Sequence, residues 1–320
     1  MVISDLMRVA ATALLGLLDD QLRTDAVYEF GDDQARRWLE YRPHRRPGAC
    51  VAELSVPARK AAHRLLSTAL SDHAYAQAMA IITLEETLDR QEGWYRGRHS
   101  GDYWVSIFGE PRDSEPWGWR FEGHHLSVSL TIAGDQVSPA PVFLGANPAR
   151  VSYAGRSVSR PLAPEEDLAR ALLDALDDTA RAAAVVSAKA PTDIRSGPRP
   201  SAAEPIKPLG VAASSLGPTA RAALSQLTAL YLDRVRPGLL AAPAAEAGEL
   251  HFAWEGPLTP GTGHYYRIQG DDLLIEYDNT TEDGNHAHTV LRRPRSDFGD
   301  DVLAKHLRQE HNTPGGAPVG

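Results

Sequence analysis

The first hundred residues alternate between apolar and polar positions with the period of helices. Apolar side chains recur at helical spacing between residues 4 and 22, which predicts an amphipathic first helix. Ser55 followed by Pro57 marks the start of another helix, because serine caps a helix N-terminus and proline suits its first turn. A third helix is predicted over roughly residues 74–90. This part of the chain should therefore be mainly helical.

From residue 102 the period changes to that of strands. The run "WRFEGHHLSVSL" alternates, helical spacing returns over residues 164–176 and 219–234, and further alternating runs follow, namely "HFAWEG", "HYYRIQ", "DLLIEYDN" and "HAHTVLRR". Helices followed by strands, then helices, then strands predict an α+β fold. We expect N-terminal helices packed with a mainly antiparallel sheet assembled from the middle and C-terminal strands.

The best-defined hairpin has Gly270-Asp271 at its turn. Glycine at the first position of a two-residue loop is typical of a II′ turn. That register places Tyr265 opposite Glu276 and Arg267 opposite Leu274.

Residues 189–218 are rich in proline, alanine, serine and glycine. They could be a domain linker or a segment crossing the surface. We expect the second, with residues 1–320 forming one domain, because the histidines described below lie on both sides of this segment and a shared site needs both halves packed together.

The composition narrows the range of partners. The 320 residues carry a formal net charge of −9, whereas nucleic acids and anionic membranes attract basic surfaces. Residues 9–18 are apolar but fall short of the roughly 18 residues of a membrane span. The single cysteine, Cys50, excludes an internal disulfide and fits a reducing compartment. We expect a cytoplasmic protein that acts on a small molecule; its oligomeric state is left open.

Two pairs of histidines are the candidate chemistry. His286 and His288 are two apart on a predicted strand and so point to the same face, as two ligands of one metal ion would. His124 and His125 begin another predicted strand and point to opposite faces, so one of them could join the first pair. We expect an imidazole nitrogen of one pair within about 5 Å of one from the other, since ligands lie ~2.1 Å from a shared ion.

Carboxylates and aromatic rings lie on the same predicted strands. Glu276 and Glu122 are candidates for a fourth ligand or a general base. An ion pair with Arg267 is an equally good interpretation of Glu276. Tyr265 belongs to a group of aromatic residues that could wall a small-molecule pocket.

Three functions fit these residues. The first is a mononuclear metal enzyme, oxidative or hydrolytic, that holds Zn, Fe or Cu by histidines, because imidazole suits all three metals. The second is a metal-free module that binds a small polar ligand. The third is a metal-free acid/base enzyme with a His–Glu pair and with Arg267 or Arg120 clamping an anion.

The chain also resembles a known family. The stretches "WRFEGHHLSVSL", "PVFLGANPARV", "RPLAPEEDLARALL", "HYYRIQGDDLLIEYDN" and "NHAHTVLRRPRSDFGDD", with a weaker match at "YEFGDDQARRWLEYRPHRRPG", are similar to the DUF3500 family in the family's order. The resemblance implies one family-length unit and carries no reaction. Many relatives have an export signal, from which this chain departs.

Overall fold

The computed structural model describes residues 2–112, 115–202, 207–240 and 248–311. Helices come mainly from the N-terminal part and from the segment between the two groups of strands. In chain order they are α1 (Ile3–Leu15), α2 (Asp20–Ala26), α3 (Asp33–Arg36), α4 (Val56–Ala69), α5 (Asp72–Gln91), α6 (Ala163–Ala175), α7 (Asp178–Ala184), α8 (Pro218–Leu232) and α9 (Asp300–His311).

One large sheet contains most of the strands. The strands are β1 (Val27–Tyr28), β2 (Ala49–Cys50), β3 (Tyr103–Phe108), β4 (Trp117–Gly123), β5 (Leu126–Ala133), β6 (Gln136–Ser138), β7 (Val142–Ala146), β8 (Val151–Tyr153), β9 (Arg156–Ser159), β10 (Val185–Ser187), β11 (Val211–Ala212), β12 (His251–Glu255), β13 (Tyr265–Gln269), β14 (Leu274–Thr281) and β15 (His286–Arg292).

The strand order joins the two halves of the chain. It runs β1-β3-β4-β5-β7-β15-β14-β13-β12-β10, with β2, β6 and β11 paired at its margins and β8 with β9 forming a separate hairpin. The pairings are antiparallel except β1 with β3 and β10 with β12. At the centre, β15 pairs with β7 over five positions, from Ala287 opposite Ala146 to Leu291 opposite Val142. The α+β fold predicted from the sequence is confirmed.

The two faces of the sheet differ in chemistry. One face, here called the helix face, is apolar and packs against α1, α4, α5, α6 and α8 in the main hydrophobic core. Alternation along each strand puts the other set of side chains on the opposite face, including His286 and His288 of β15 and Glu276 and Asp278 of β14.

Two irregular segments cover this second face, here called the strap face. The first strap is residues 37–48 and the second is residues 191–201, within the proline-rich stretch. Both straps contribute to a small apolar cluster on the strap face, formed by Leu39, Tyr41, Phe143, Ile194, Val290 and Phe298. The straps therefore pack on the sheet. Residues 203–206 of the proline-rich stretch lie outside the described residues.

The sequence located most helices well and misjudged the first. Ser55 caps α4 through a bond from the Ala58 amide, as expected. The single helix expected over residues 4–22 is instead two, α1 and α2, separated at residues 16–19. Asp19 starts the second helix by accepting from the Leu22 amide. The prediction was wrong because apolar spacing continues across a break that a local N-cap creates.

The predicted hairpin register was also wrong. Tyr265 lies opposite Asp278, and Arg267 lies opposite Glu276. The Gly270 amide donates to the Leu273 carbonyl at 2.9 Å, so the two-residue loop is Asp271-Asp272 and lies one residue later than predicted. A change of two residues leaves each side chain on its expected face, because strands repeat every two residues. Separately, no helix among the described residues is long and apolar enough to cross a membrane.

The central position of β15 makes a prediction about folding units. Residues 1–188, expressed alone, would expose the β7 edge, whereas residues 219–320 would lose the strand that covers β15. Unpaired strand edges and uncovered apolar faces favour aggregation. We expect both fragments to be insoluble or to lack a cooperative thermal transition by circular dichroism, while the full chain melts cooperatively. Two soluble, cooperatively melting fragments would show instead that residues 1–320 are two domains.

Candidate metal centre

His124 and His125 form the turn between β4 and β5. The structure pairs Gly123 with Leu126, so the two histidines occupy the two positions of a hairpin turn and do not begin a strand as expected. His125 has a φ of +62°. Residues with a side chain rarely adopt this left-handed conformation. Sparsely populated backbone conformations cost of order 1–3 kcal/mol each and often mark functional sites.

Hydrogen bonds from three directions hold the turn. The His125 amide donates to the Tyr41 carbonyl at 3.1 Å, and the His125 carbonyl accepts from the Gly145 amide at 2.7 Å. The Tyr103 hydroxyl donates to the His124 carbonyl at 2.9 Å. The first strap, β3 and β7 thus fix the backbone that aims His125.

The two histidine pairs converge through His125. Its Nε2 atom lies 2.8 Å from Nε2 of His286. That same atom of His286 lies 3.1 Å from Nε2 of His288. The nitrogens of these three residues all lie within 4.8 Å of one another, in a group that could hold a metal ion. We call these three residues the histidine triad.

Carboxylates accept from the opposite nitrogens of two triad members. Nδ1 of His288 lies 2.8 Å from Oδ1 of Asp193 in the second strap. Nδ1 of His286 lies 3.2 Å from Oε1 of Glu282, which also accepts from the Asn147 side-chain amide at 2.9 Å. These bonds place the imidazole protons on Nδ1, because a carboxylate is an acceptor. The Nε2 lone pairs of His286 and His288 are left to face each other.

Facing lone pairs fit a bound cation. Without a positive charge between them, lone pairs at these distances repel. Two nitrogens each ~2.1 Å from one ion are about 3.0 Å apart at a right angle and about 3.4 Å apart at the tetrahedral angle. The observed 2.8 and 3.1 Å match the right angle better. Carboxylates behind the ligating imidazoles are also usual at protein metal sites, where they fix the ring orientation.

Two members of the triad, His125 and His286, are held in their neutral form. Burial lowers the pKa of His125 well below its usual range, and its histidine neighbours lower it further. Burial, followed by the influence of His288, lowers the pKa of His286 to about 3. Neutral imidazole is the form that binds metal ions.

Asp278 is a further carboxyl group beside the triad. It lies opposite His288 in the sheet, and its carboxylate, that of Asp193 and the His288 ring form a second group that could hold a metal. Burial raises the pKa of Asp278 to about 6, against opposing bonds from Thr280. This position suits a ligand or a proton donor and acceptor.

His124 is not one of the three converging histidines; with Glu85 and His125 it forms another group that could hold a metal, and it lines a pocket. Its ring stacks on that of His125 with centroids 3.7 Å apart. Nδ1 of His124 lies 2.5 Å from Oε1 of Glu85, and the guanidinium of Arg98 lies 3.3 Å from the same nitrogen. Glu85, His124 and Arg98 form part of the wall of a cavity of about 380 Å³. His125 is thus the member of the pair that joins His286 and His288.

Of the other predicted site residues, Glu276 and Tyr265 contact the second strap and Arg267 contacts the chain that follows it. Glu276 accepts from the Arg195 amide at 2.7 Å and from the Tyr265 hydroxyl at 2.8 Å. Arg267 donates to the Lys207 carbonyl at 2.9 Å.

Glu122 has the same kind of role under the first strap. It accepts from Arg120 at 2.7 Å, and Arg46 of the strap lies 3.8 Å away. Catalytic roles for Glu122, Glu276, Arg267 and Tyr265 stay predictions.

Four carboxylates at the site were missed from the sequence. Asp278 could have been found, because it follows Glu276 by two residues and shares its face. Glu282 lies four residues before His286 in a loop, and Asp193 lies in the proline-rich stretch, where no periodicity applies. Glu85 lies on α5, distant in sequence from every candidate histidine. Asp193 and Glu85 are brought to the site by tertiary packing alone, whereas the short loop between β14 and β15 brings Glu282 to His286.

A family model matches residues 2–300 of the chain, and its description is "Protein of unknown function (DUF3500)". The chain belongs to the DUF3500 family. The resemblance described from the sequence motifs is confirmed. No curated protein and no solved structure matches this DUF3500 chain.

Gly145 allows a test of the packing around His125 in this DUF3500 protein. A Cβ atom there would lie 2.8 Å from Cδ2 of His125 and 3.0 Å from the Ala287 carbonyl oxygen. We expect Gly145→Ala to destabilise the protein by about 1–3 kcal/mol, as overpacking typically does. Denaturant unfolding measures the loss, and Gly31→Ala is the control, since a Cβ at Gly31 would meet nothing within 4 Å.

The double variant Gly145→Ala/His125→Ala should recover part of the lost stability, because removing the ring removes the closest clash. Purely additive losses would show that His125 does not lie against Gly145.

The low pKa of His286 predicts a pH dependence of the metal-free DUF3500 protein. Between about pH 6.5 and 3 the unfolded chain binds a proton at this residue that the native state does not bind. The contribution of His286 to the free energy of unfolding is therefore fully present above about pH 6.5. It falls as the pH drops, by up to about 1.4 kcal/mol per pH unit for each such proton. We expect urea unfolding of His286→Asn to show a shallower fall than wild type over this window. Parallel curves would contradict the neutral state of His286.

Proposed function

We propose that this protein is a mononuclear metal-dependent enzyme acting on a small molecule, with the ion bound by His125, His286 and His288. The observation that carries the proposal is the convergence of three Nε2 atoms while carboxylates accept from Nδ1 of His286 and His288. Three histidine ligands leave coordination positions for a substrate or water, as catalytic metal sites do.

The metal would be Zn, Fe or Cu, since imidazole nitrogen suits all three. Such an ion supplies either polarisation of a bound water or carbonyl, or one-electron chemistry at open positions.

The chain's own residues would orient this centre. Asp193 holds the His288 ring through Nδ1 and also accepts from the Tyr41 hydroxyl at 2.8 Å, so one carboxylate links a ligand to both straps. The Tyr41 ring stacks on Phe143 with centroids 4.1 Å apart, which shields one side of the site from water. Asp278 is the candidate to move a proton, because it is buried beside His288.

A second candidate function is the metal-free acid/base enzyme. The observation that favours it is the 2.5 Å contact between Nδ1 of His124 and Oε1 of Glu85 on the pocket wall, beside Arg98. That arrangement is a His–Glu pair with an arginine, although not the pair expected from the sequence. It leaves the convergence of the histidine triad without a role.

Elemental analysis of protein purified without an affinity tag tests the first proposal. We expect about one equivalent of Zn, Fe or Cu in wild type and at least a tenfold loss in His125→Ala, His286→Ala and His288→Ala, because each removes one of three ligands. His73→Ala is the control, since His73 is exposed at the start of α5.

Circular dichroism should show that the triad variants remain folded. Wild-type protein that takes up no metal on reconstitution would overturn the proposal and favour the His124–Glu85 pair. Wild-type metal content in His288→Ala would remove that residue from the ligand set.

A further inference from the structure

The cavity lined by His124 has two kinds of charged group on its walls. Its volume of about 380 Å³ lies near the lower end of the roughly 300–1,000 Å³ of small-molecule sites. His124 stacks on His125, so the cavity shares a wall with the histidine triad. Pro43, Cys50 and Trp104 give it an apolar part.

Some of the charges on the wall neutralise one another. Arg98 forms two bonds with Glu92, at 2.8 and 3.1 Å, and lies 3.8 Å from Glu85. Glu85 in turn contacts His124. A guanidinium this close to His124 and Glu85 disfavours a second metal ion there, because two cations would repel. The charges of Arg98, Glu85 and Glu92 are therefore already paired with one another.

Two arginines among the lining residues remain without a close carboxylate partner. Arg45 comes from the first strap and Arg96 from the loop between α5 and β3. Within the described residues no salt bridge engages Arg45, and the contact of Arg96 with Glu92 is long, at 3.6 Å, with the Arg96 side chain 56% exposed. Both guanidinium groups can accept an anionic partner at the cavity mouth.

Two carboxylates among the lining residues also remain. Glu53 and Asp102 belong to neighbouring backbone segments, joined by a bond from the Ala52 amide to the Gly101 carbonyl at 3.0 Å. No salt bridge in the described part of the chain engages either of them. Burial raises the pKa of Asp102, and the nearby His99 only partly opposes this, so its carboxylate would gain from a cationic partner.

We propose that this cavity binds a small zwitterion of the amino-acid class, with its carboxylate at Arg45 and Arg96 and its ammonium group at Asp102 and Glu53. A simple anion would leave the two carboxylates unmatched, and a simple cation would leave the two arginines unmatched. The apolar wall at Trp104 accommodates a side chain. The proposal concerns binding and holds whether or not the triad carries a metal.

The test measures binding to the full chain in metal-free and metal-loaded form. The probes are glycine, L-alanine, L-leucine, L-phenylalanine, L-glutamate and L-lysine. Their binding is measured by thermal shift and by isothermal titration calorimetry. We expect at least one to bind with a Kd below about 1 mM. Its N-acetyl derivative, which lacks the cation, and its amide, which lacks the anion, should each bind at least tenfold more weakly.

Two variants separate a zwitterion from a simple ion. Arg45→Ala and Asp102→Asn should each weaken the amino acid at least fivefold, with Arg64→Ala and Asp174→Asn as exposed controls off the cavity. A site for anions would keep or gain affinity in Asp102→Asn, and a site for cations would do so in Arg45→Ala. Either result overturns the proposal, as does the failure of every probe to bind. If the wild-type protein takes up no metal but still binds a probe, that result would count against the metal-dependent function alone.

Discussion

The pairing of β7 with β15 is the interaction on which the rest of the structure depends. It joins the strands of the middle region to those of the C-terminal region in one sheet and sets Gly145 opposite His288. Because the residue at 145 has no side chain, the His125 ring can lie over β7 and reach across to β15. A slip of this pairing by one residue would turn His286 and His288 to the helix face, and the triad would not exist.

The charged character of the strap face is a second constraint. Buried ionic groups are costly unless they are paired and hydrogen-bonded. Glu122 is matched by Arg120 and by Arg46 of the first strap, and Glu276 by backbone amides of the second strap. The straps thus have a defined position, and with them Tyr41 and Asp193 reach the triad. Glu122 and Glu276, which the sequence offered as candidate catalytic groups, thus help to determine where the two straps lie.

The sequence predicted those features that depend on local period. The fold class, the caps of α4 and the shared face of His286 and His288 follow from spacing within one element. Loop geometry was harder to predict: the His124-His125 turn and the position of the loop after Gly270 depend on backbone conformations for which the local residues give little signal. Asp193 and Glu85 could not have been assigned, because only packing between distant segments brings them to the histidines.

The place of β15 in the sheet also bears on how the protein is made. β15 follows every other described strand of the sheet in chain order, yet it lies between β7 and β14. During synthesis the neighbouring strands leave the ribosome before the strand that joins them, so the nascent chain carries two open sheet edges until β15 emerges. Such edges are recognised by chaperones and are prone to wrong pairing. The triad is complete only after β15 is inserted between β7 and β14, so its three histidines come together only when the sheet closes.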